Sequence, residues 1–435
     1  MRLASSLACF VLMLGIVPSD AHAADACSPE IAPAATLLLP YFEVDLASAD
    51  GISTLFSINN SAEDPALAHV TLWSDLGIPV ISFHVFLTGF DVQTINLRDV
   101  LNGQLPITAD ASTDFGDELS PSGLAGWDGD FEGCANFFPY SQPAIVGGLR
   151  EYVRGSLTGQ PTALDQGQCR GFAHESSQIA RGYVTIDNVR RCTPDFPNEG
   201  DYFATNGNRI VSDVNQLWGD FFLVDPGQDS AQGEALVHIQ AFQGTFAEGD
   251  YTFYGSLLGG SAADAREPLP NSFSARFLNG GAFTGGTDLL IWRDPKTAQR
   301  DAFDCGDSPS WFPLSQGLVL VFDEQESWTN ACSYFFDAPA AGRITPPPPP
   351  IYCFPLASQR IGVDGRSATG DVFSAPFDFG WIHVPMDHFQ GDDTYGGGGA
   401  QGWVLAIHQA NGRFSVGLPA LPTHSSCDGE APSLF

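Results

Sequence analysis

Carboxylates follow an apolar stretch in the second half of the chain. Asp323, Glu324 and Glu326 come directly after residues 318–322, whose composition is typical of a strand. A glycosidase needs two carboxyl groups flanking the bond that it cleaves, about 5 Å apart when it retains configuration and about 6.5 to 9.5 Å apart when it inverts it. A strand end could supply one of the two, so these residues are catalytic candidates for a polysaccharide hydrolase. A solvated strand end is the simpler alternative, because the sequence identifies no second carboxylate.

A second acidic group, Asp128, Asp130 and Glu132, alternates with other residues just before Gly133. Alternate carboxylates in a turn can point the same way, and calcium binds to such groups of hard oxygen atoms. The pattern departs from a helix-flanked calcium loop, because Pro139 stands at the twelfth position, where a bidentate glutamate is expected. The three residues are candidate metal ligands, and an ordinary acidic loop is the alternative.

Other combinations of reactive residues are less specific. His383, Asp387 and His388 lie close together, and imidazole with carboxylate can bind zinc or orient a base, but Pro385 between them disfavours a regular helix. His84 and His238 fall in alternating stretches and are interpreted as surface or hydrogen-bonded residues. The sequence contains no serine-nucleophile elbow, zinc-protease helix or phosphate-binding loop. It therefore indicates calcium as the one candidate cofactor, and it favours a binding protein over an enzyme.

The N-terminus has the form of a secretion signal. Arg2 supplies a basic end, residues 7–17 are apolar, and Ala21-His22-Ala23 is a small-residue cleavage site. The apolar run is too short to span a bilayer. We therefore predict that residues 1–23 are removed and that the mature protein is secreted or periplasmic.

Cleavage would leave eight cysteines, and an even number in an exported chain favours disulfides. Short loops cost little entropy to close, so we expect Cys169 to pair with Cys192 and Cys305 to pair with Cys332. A zinc site is disfavoured, since no Cys-x-x-Cys pair occurs. The predicted disulfide cysteines are Cys27, Cys134, Cys169, Cys192, Cys305, Cys332, Cys353 and Cys427.

The formal charge of −33 limits the partners that the protein can have. A chain this acidic is repelled by phosphate backbones and by anionic lipid head groups. Nucleic acid and membrane surfaces are therefore poor partners, which leaves carbohydrate or another surface protein as the expected classes.

Apolar residues recur with period two between turn residues, which predicts a mainly β fold. We expect tandem antiparallel β-sandwich, Ig-like domains with long loop insertions, one over residues 24–258 and one over 271–435, joined by a linker at 259–270. A short helix is expected at 149–157, after a loop at 102–143 that Cys134 would hold in place. Strands are expected at 52–59, 69–74, 81–87, 92–97, 182–189, 218–225, 235–242 and 251–255.

The two halves share a weak internal repeat. Phe42 and Phe277, Gly51 and Gly286, and Leu55 and Leu290 align at one constant offset, and Gly182-Tyr183-Val184 resembles Gly380-Trp381-Ile382. The pattern predicts two related β domains with different insertions. Chance likeness between amphipathic strands is the alternative.

Several stretches resemble a group of uncharacterised exported β-rich proteins of Gram-negative bacteria. They are residues 36–42, 54–60, 69–75, 180–187 and 286–290. The resemblance implies export and a β fold. It implies no activity and no catalytic residue.

Eight tryptophans are interpreted first as core residues, because large aromatic side chains usually pack in the interior; a carbohydrate-binding face of exposed indoles is the alternative. The expected function is that of a binding or surface-structural protein. The alternatives are a polysaccharide hydrolase and a calcium-stabilised surface-layer component. The tryptophans are Trp73, Trp127, Trp218, Trp292, Trp311, Trp328, Trp381 and Trp403.

Overall fold

The fold is mainly β, as predicted from the alternating pattern. The computed structural model describes residues 32–108, 131–160, 178–242, 252–255, 264–281, 283, 285–295, 319–331, 356–363, 372–373, 375–386, 400–410 and 414–424. The strands of the first half are β1 Thr36–Asp45, β2 Ser53–Asn60, β3 Ala66–Ser74, β4 Pro79–Leu87, β5 Val92–Asn96, β6 Ile179–Asn188, β7 Leu217–Trp218, β8 Asp220–Asp225, β9 Ser230–Ala235 and β10 Val237–Ile239. The strands of the second half are β11 Ser272–Leu278, β12 Gly286–Arg293, β13 Leu320–Phe322, β14 Trp328–Asn330, β15 Ser358–Val363, β16 Val372–Phe373, β17 Phe379–Pro385, β18 Gly402–Ala410, β19 Phe414–Pro419 and β20 Leu421–His424.

Two α-helices lie among the described residues. The predicted helix is α2, Gly147–Thr158, which buries Val153 and ends where Gly159 adopts φ 71°. The other helix, α1 Leu97–Leu101, was not predicted; it begins where the Asn96 side chain accepts a hydrogen bond from the Arg98 amide. Nowhere in the described ranges is a helix both long and apolar enough to cross a membrane.

The strand predictions hold best where alternation is longest. β2, β3, β4, β5, β6 and β8 lie where strands were expected. The prediction of one strand over 235–242 is only partly right, because β9 ends at Ala235 and β10 covers three residues. The expected strand at 251–255 is wrong, since residues 252–255 form a turn closed by the Gly255 amide on the Thr252 carbonyl.

The same strand order occurs twice. In the first half the sheets run β10-β1-β6-β3-β4 and β5-β2-β8-β9, and in the second half they run β20-β11-β17-β13-β14 and β15-β12-β18-β19, with β16 added beside β15. Every corresponding pair of neighbours is antiparallel. We call β1–β10 the first repeat and β11–β20 the second repeat. The recurring strand order is what the internal repeat predicts, whereas the division into two domains and the Ig-like assignment stay predictions.

The repeat is also visible at single residues. Phe42 pairs with Gly182 in the first repeat, and Phe277 pairs with Gly380 in the second. Each glycine lies so close to a carbonyl oxygen of the next strand that a Cβ atom would sit 2.0 Å from the Trp73 oxygen or 1.8 Å from the Phe322 oxygen. A glycine is therefore needed at both positions, because a side chain would force the strands apart.

Each repeat has an apolar core between its two sheets. Leu39, Phe56 and Val70 are part of the first core, and Phe273, Ile291 and Val384 are part of the second. Along each strand these residues alternate with residues on the outer side of the sheet, as half-buried strands require. The fold class is thus several antiparallel sheets packed in pairs.

The two repeats pack against each other. Leu290, Leu405 and Ile407, on the outer side of β12 and β18, belong to the core of the first repeat. Trp292 joins a further cluster with Trp73 on the outer side of β3. The interface therefore joins an outer sheet face of the second repeat to the first repeat.

Residues 264–270, the described part of the predicted linker, are buried except for Ala265. Arg266 lies 3.2 Å from Asp264 and 3.6 Å from Asp187 and Asp213, so a charged residue in this segment is held inside the protein. Composition suggested an ordinary linker because the partners of Arg266 are distant in sequence. The boundary between domains stays a prediction.

Among the described residues Cys192 pairs with Cys134, 58 positions earlier. The expected pairing of Cys192 with Cys169 is therefore wrong. The entropy of loop closure alone favours a nearby cysteine, whereas the strands bring the 131–140 segment beside β4 and residue 192. Six of the predicted disulfide cysteines lie outside the described residues: Cys27, Cys169, Cys305, Cys332, Cys353 and Cys427.

Candidate functional site

Three aromatic side chains form a row across the outer face of the second repeat. Phe322 on β13 pairs in register with Trp328 on β14 and with Trp381 on β17. Directly paired residues of antiparallel strands lie on the same face, so the three rings share one surface. We call Trp328, Phe322 and Trp381 the aromatic strip.

The aromatic strip is open to solvent. Trp328 is 56% exposed and Trp381 is 41% exposed, and the rings of Phe322 and Trp381 stack with centroids 4.1 Å apart at 6°. The opposite faces of these strands carry Val321 and Ile382, which are fully buried. The core therefore holds the backbone in place while the aromatic rings remain available for contact.

Polar groups border the strip on one side. Ser274 and His383 lie on the same face, one pair further along β11 and β17, and their side chains are 3.3 Å apart. That distance is longer than an activated nucleophile and its base usually show. His383 is buried, so the pair borders the strip as part of the folded sheet and does not form an activated nucleophile. Asp387 and His388, which were expected near His383, lie outside the described residues.

Carboxylates border the strip on the other side. Asp323, Glu324 and Glu326 lie in the turn between β13 and β14, directly after Phe322 and before Trp328. Asp378 is at the start of β17, which runs antiparallel to β13, so its exposed side chain is at the same end of the sheet.

The three predicted catalytic carboxylates differ in what they do. Asp323 accepts hydrogen bonds from the Gln325 and Ser327 amides, both at 2.8 Å, and so stabilises the turn. Glu324 and Glu326 are exposed. A general acid works from a site shielded from water, and an exposed turn does not provide that shielding. Their catalytic role stays a prediction.

The predicted metal ligands are only partly described. Asp128 and Asp130 lie outside the described residues, and Glu132 is exposed at the start of the disulfide-bonded segment. The described ranges contain no group of three or more histidine, cysteine or acidic residues that could hold a metal ion.

A buried polar network lies on the outer side of the first repeat. Asp187 accepts hydrogen bonds from Tyr202 at 2.7 Å and from Tyr254 at 2.8 Å, beside the fully buried Arg266. Burial raises the pKa of Asp187, against the lowering effect of Arg266. Burial would lower the pKa of Arg266, but Asp264 and Asp187 raise it overall. These groups satisfy one another inside the protein and leave no surface for a ligand.

Two buried histidines adjoin this network. His69 and His84 face each other across β3 and β4 with Nδ1 and Nε2 3.0 Å apart, and the Thr193 amide donates to His84 Nε2 at 3.2 Å. Burial lowers the pKa of His69 to about 3, and burial with the neighbouring His69 lowers the pKa of His84. The prediction of a hydrogen-bonded His84 is confirmed, but the residue is buried. His238 is likewise buried and accepts from the Gly219 amide at 3.3 Å.

The tryptophans fall into two groups. Trp73 and Trp292 are buried, Trp218, Trp328 and Trp381 are exposed, and Trp403 is half-buried. Trp127 and Trp311 lie outside the described residues. The alternation of Trp381 with Ile382 and Val384 places its side chain on the opposite face of the strand from those two residues, but its exposure depends on tertiary packing, since the equivalent Tyr183 is buried. The stacking with Phe322 required the strand pairing.

Comparisons with protein-family models, with curated proteins and with solved structures found no match to this chain.

Proposed function

We propose that the protein is an exported surface-structural binding protein that contacts its partner through the aromatic strip. The observation that carries the proposal is the row of Trp328, Phe322 and Trp381, in which both tryptophans are exposed and Phe322 is half-buried, on a sheet whose other face is core. Aromatic side chains dominate binding energetics because each buries a large apolar area at a small cost in side-chain entropy.

Rigidity supports this proposal. The strip lies on three hydrogen-bonded strands rather than on a loop, and Phe322 and Trp381 hold each other in place by stacking. A rigid aromatic surface loses little freedom when a partner binds. Export is supported by the N-terminal signal pattern and by the disulfide between Cys134 and Cys192.

The test measures association and hydrolysis in the same tubes. Purified protein is incubated with insoluble cellulose, chitin and xylan, and protein in the pellet and sugar in solution are measured; self-association is followed by sedimentation velocity. We expect at least one association, without sugar release, that the double variant Trp328→Ala and Trp381→Ala weakens on the order of tenfold or more. The control is Ile107→Ala, an exposed apolar position away from the strip.

Two results would contradict the proposal. Association that is unchanged in the strip variant would show that another surface binds the partner. Sugar release that is abolished by Glu324→Gln and Glu326→Gln would favour the hydrolase. The observation that supports this alternative is the position of both carboxylates beside the strip.

A further inference from the structure

The two repeats expose opposite halves of one interface. In the first repeat Trp73 and Tyr183 pair in register and stack at 5.6 Å and 2°, as Phe322 and Trp381 do in the second. Trp73 and Tyr183 are buried, and the Trp292 ring lies 5.9 Å from Tyr183. The second repeat therefore covers Tyr183 of the first repeat, whereas the equivalent Trp381 of the second repeat is exposed.

The covering surface also has an open counterpart. Leu290 on β12 pairs with Leu405 on β18, and both are buried against the first repeat. The equivalent residues of the first repeat, Leu55 on β2 and Phe222 on β8, pair in the same way, and Phe222 is 44% exposed. Val92 and Trp218 each pair in register with Asn59, so they lie on the same face as Leu55, and both are exposed. We call Leu55, Val92, Trp218 and Phe222 the open face.

In the part of the chain that the structure describes, one example of each surface carries exposed aromatic side chains. Inside the chain, β12 and β15 of the second repeat contact β1 and β6 of the first repeat, and Trp292 on β12 lies in one cluster with Tyr183 and Trp73. The open face in the first repeat corresponds to the surface around Leu290 in the second. The aromatic strip in the second repeat corresponds to the surface around Tyr183 in the first. A surface that is buried in one repeat and exposed and apolar in the other points to a missing copy.

We infer that the partner of the aromatic strip is the open face of a second copy of this chain. The inference rests on the proposed function of the strip as a binding surface. Such a contact joins two different patches, so it is heterologous: each added copy leaves one strip and one open face uncovered. The assembly grows head to tail, as an open chain or as a ring.

The contact between copies is expected to be weaker than the contact inside the chain. Inside the chain, Arg360 bonds to Asp288 at 2.8 Å and lies 3.6 Å from Glu43. Arg360 pairs with Leu290 in the second repeat, and Asn96 pairs with the equivalent Leu55 in the first repeat. The neutral Asn96 is therefore the counterpart of Arg360. The contact between copies therefore relies on apolar burial. Because each copy carries a charge of −33, association is expected to strengthen as salt screens repulsion between copies.

Sedimentation velocity of the purified protein at rising concentration, at low and at moderate salt, tests the inference. The wild-type protein is expected to form dimers and longer species, more of them at moderate salt. Trp381→Glu places a charge on the aromatic strip, and Phe222→Glu places one on the open face. The association constant of each variant alone is expected to fall on the order of tenfold or more. Ile107→Glu is the matched control and is expected to associate like the wild type.

Mixing the two variants gives the deciding result. Trp381→Glu retains its open face and Phe222→Glu retains its strip, so a mixture is expected to form one-to-one dimers and nothing longer. Circular dichroism is used to check that both variants fold. If either does not, Trp381→Thr and Phe222→Thr replace them, because threonine is favoured in strands.

Several outcomes would overturn the inference. A monomeric wild-type protein, or variants whose mixture stays monomeric, contradicts head-to-tail association. A monomer that pellets with polysaccharide through Trp381 overturns the second copy as partner and leaves the proposed function standing. A monomer that binds nothing through the strip overturns both.

Discussion

Tyr183 and Trp381 occupy equivalent positions in the two repeats, yet Tyr183 is 4% exposed and Trp381 is 41% exposed. Each pairs with an aromatic residue on the neighbouring strand, Trp73 or Phe322, and stacks on it. The difference arises because the second repeat packs over Tyr183 through Trp292.

Gly182 is expected to tolerate no side chain. A Cβ atom at this position would lie 2.0 Å from the Trp73 backbone oxygen, so Gly182→Ala must move one strand away from the other. We expect a loss of about 2 kcal/mol or more in the free energy of unfolding, measured by urea denaturation. Gly207→Ala is the control, since no atom lies within 4 Å of its Cβ position, and it is expected to change stability by less than about 0.5 kcal/mol. Equal effects of the two substitutions would refute the close-approach argument.

The disulfide between Cys134 and Cys192 is expected to stabilise the first repeat. It closes a long loop and fixes the segment that contacts His84 through Phe137. Replacing both cysteines with alanine should lower the free energy of unfolding by about 2 to 4 kcal/mol. Peptide mapping of the unreduced protein checks the pairing itself, and a peptide that links Cys192 to Cys169 would contradict the structure.

Buried histidines are expected to make the protein less stable in mild acid. Burial lowers the pKa of His69 to about 3 and that of His238 to about 4, whereas both titrate near 6.5 when unfolded. The unfolded chain therefore binds more protons below pH 6.5, and the stability present above that pH is lost as the pH falls toward 4. Each histidine should contribute a loss of about 1.5 to 2 kcal/mol between pH 6.5 and 5.

Asp187 and Asp288 act in the opposite direction, because burial raises the pKa of each and they gain protons more readily in the folded protein. Urea denaturation at pH 6.5, 6 and 5 measures the balance. In His238→Asn the slope of stability against pH, averaged between pH 6.5 and 5, should decrease by about 1 kcal/mol per pH unit. A slope that this substitution leaves unchanged would show that His238 is not a source of the acid sensitivity.

Arg360 is expected to hold the repeats together. Its guanidinium bonds to Asp288 at 2.8 Å and lies 3.6 Å from Glu43, which also contacts Arg181. Arg360→Met leaves these buried carboxylates with less compensating charge, so we expect a loss of about 3 to 5 kcal/mol in the free energy of unfolding. The exposed Arg276→Met on β11 serves as control and should stay within about 0.5 kcal/mol of wild type. Equal stability of both variants would mean that the ion pairs contribute nothing.

The strands were predictable where alternation runs over several residues, as in β2 and β4. Short strands such as β13 and β14 carry too little pattern, and the aromatic strip depends on both. The position of Asp323 after an apolar run is evident in the sequence, but its role in a tight turn follows from hydrogen bonds that the sequence does not specify.

The β character and the strands with long alternation can be predicted from the sequence, because they depend on residues close together in the chain; the repeat was only suggested by matches at a constant offset. Only the tertiary structure decided which cysteine pairs with Cys192, why Arg266 is buried and which aromatic pair is exposed. Those outcomes depend on contacts between residues far apart in the chain. Gly-Tyr-Val and Gly-Trp-Ile have the same local pattern, so only the packing of one repeat on the other distinguishes a buried Tyr183 from an exposed Trp381.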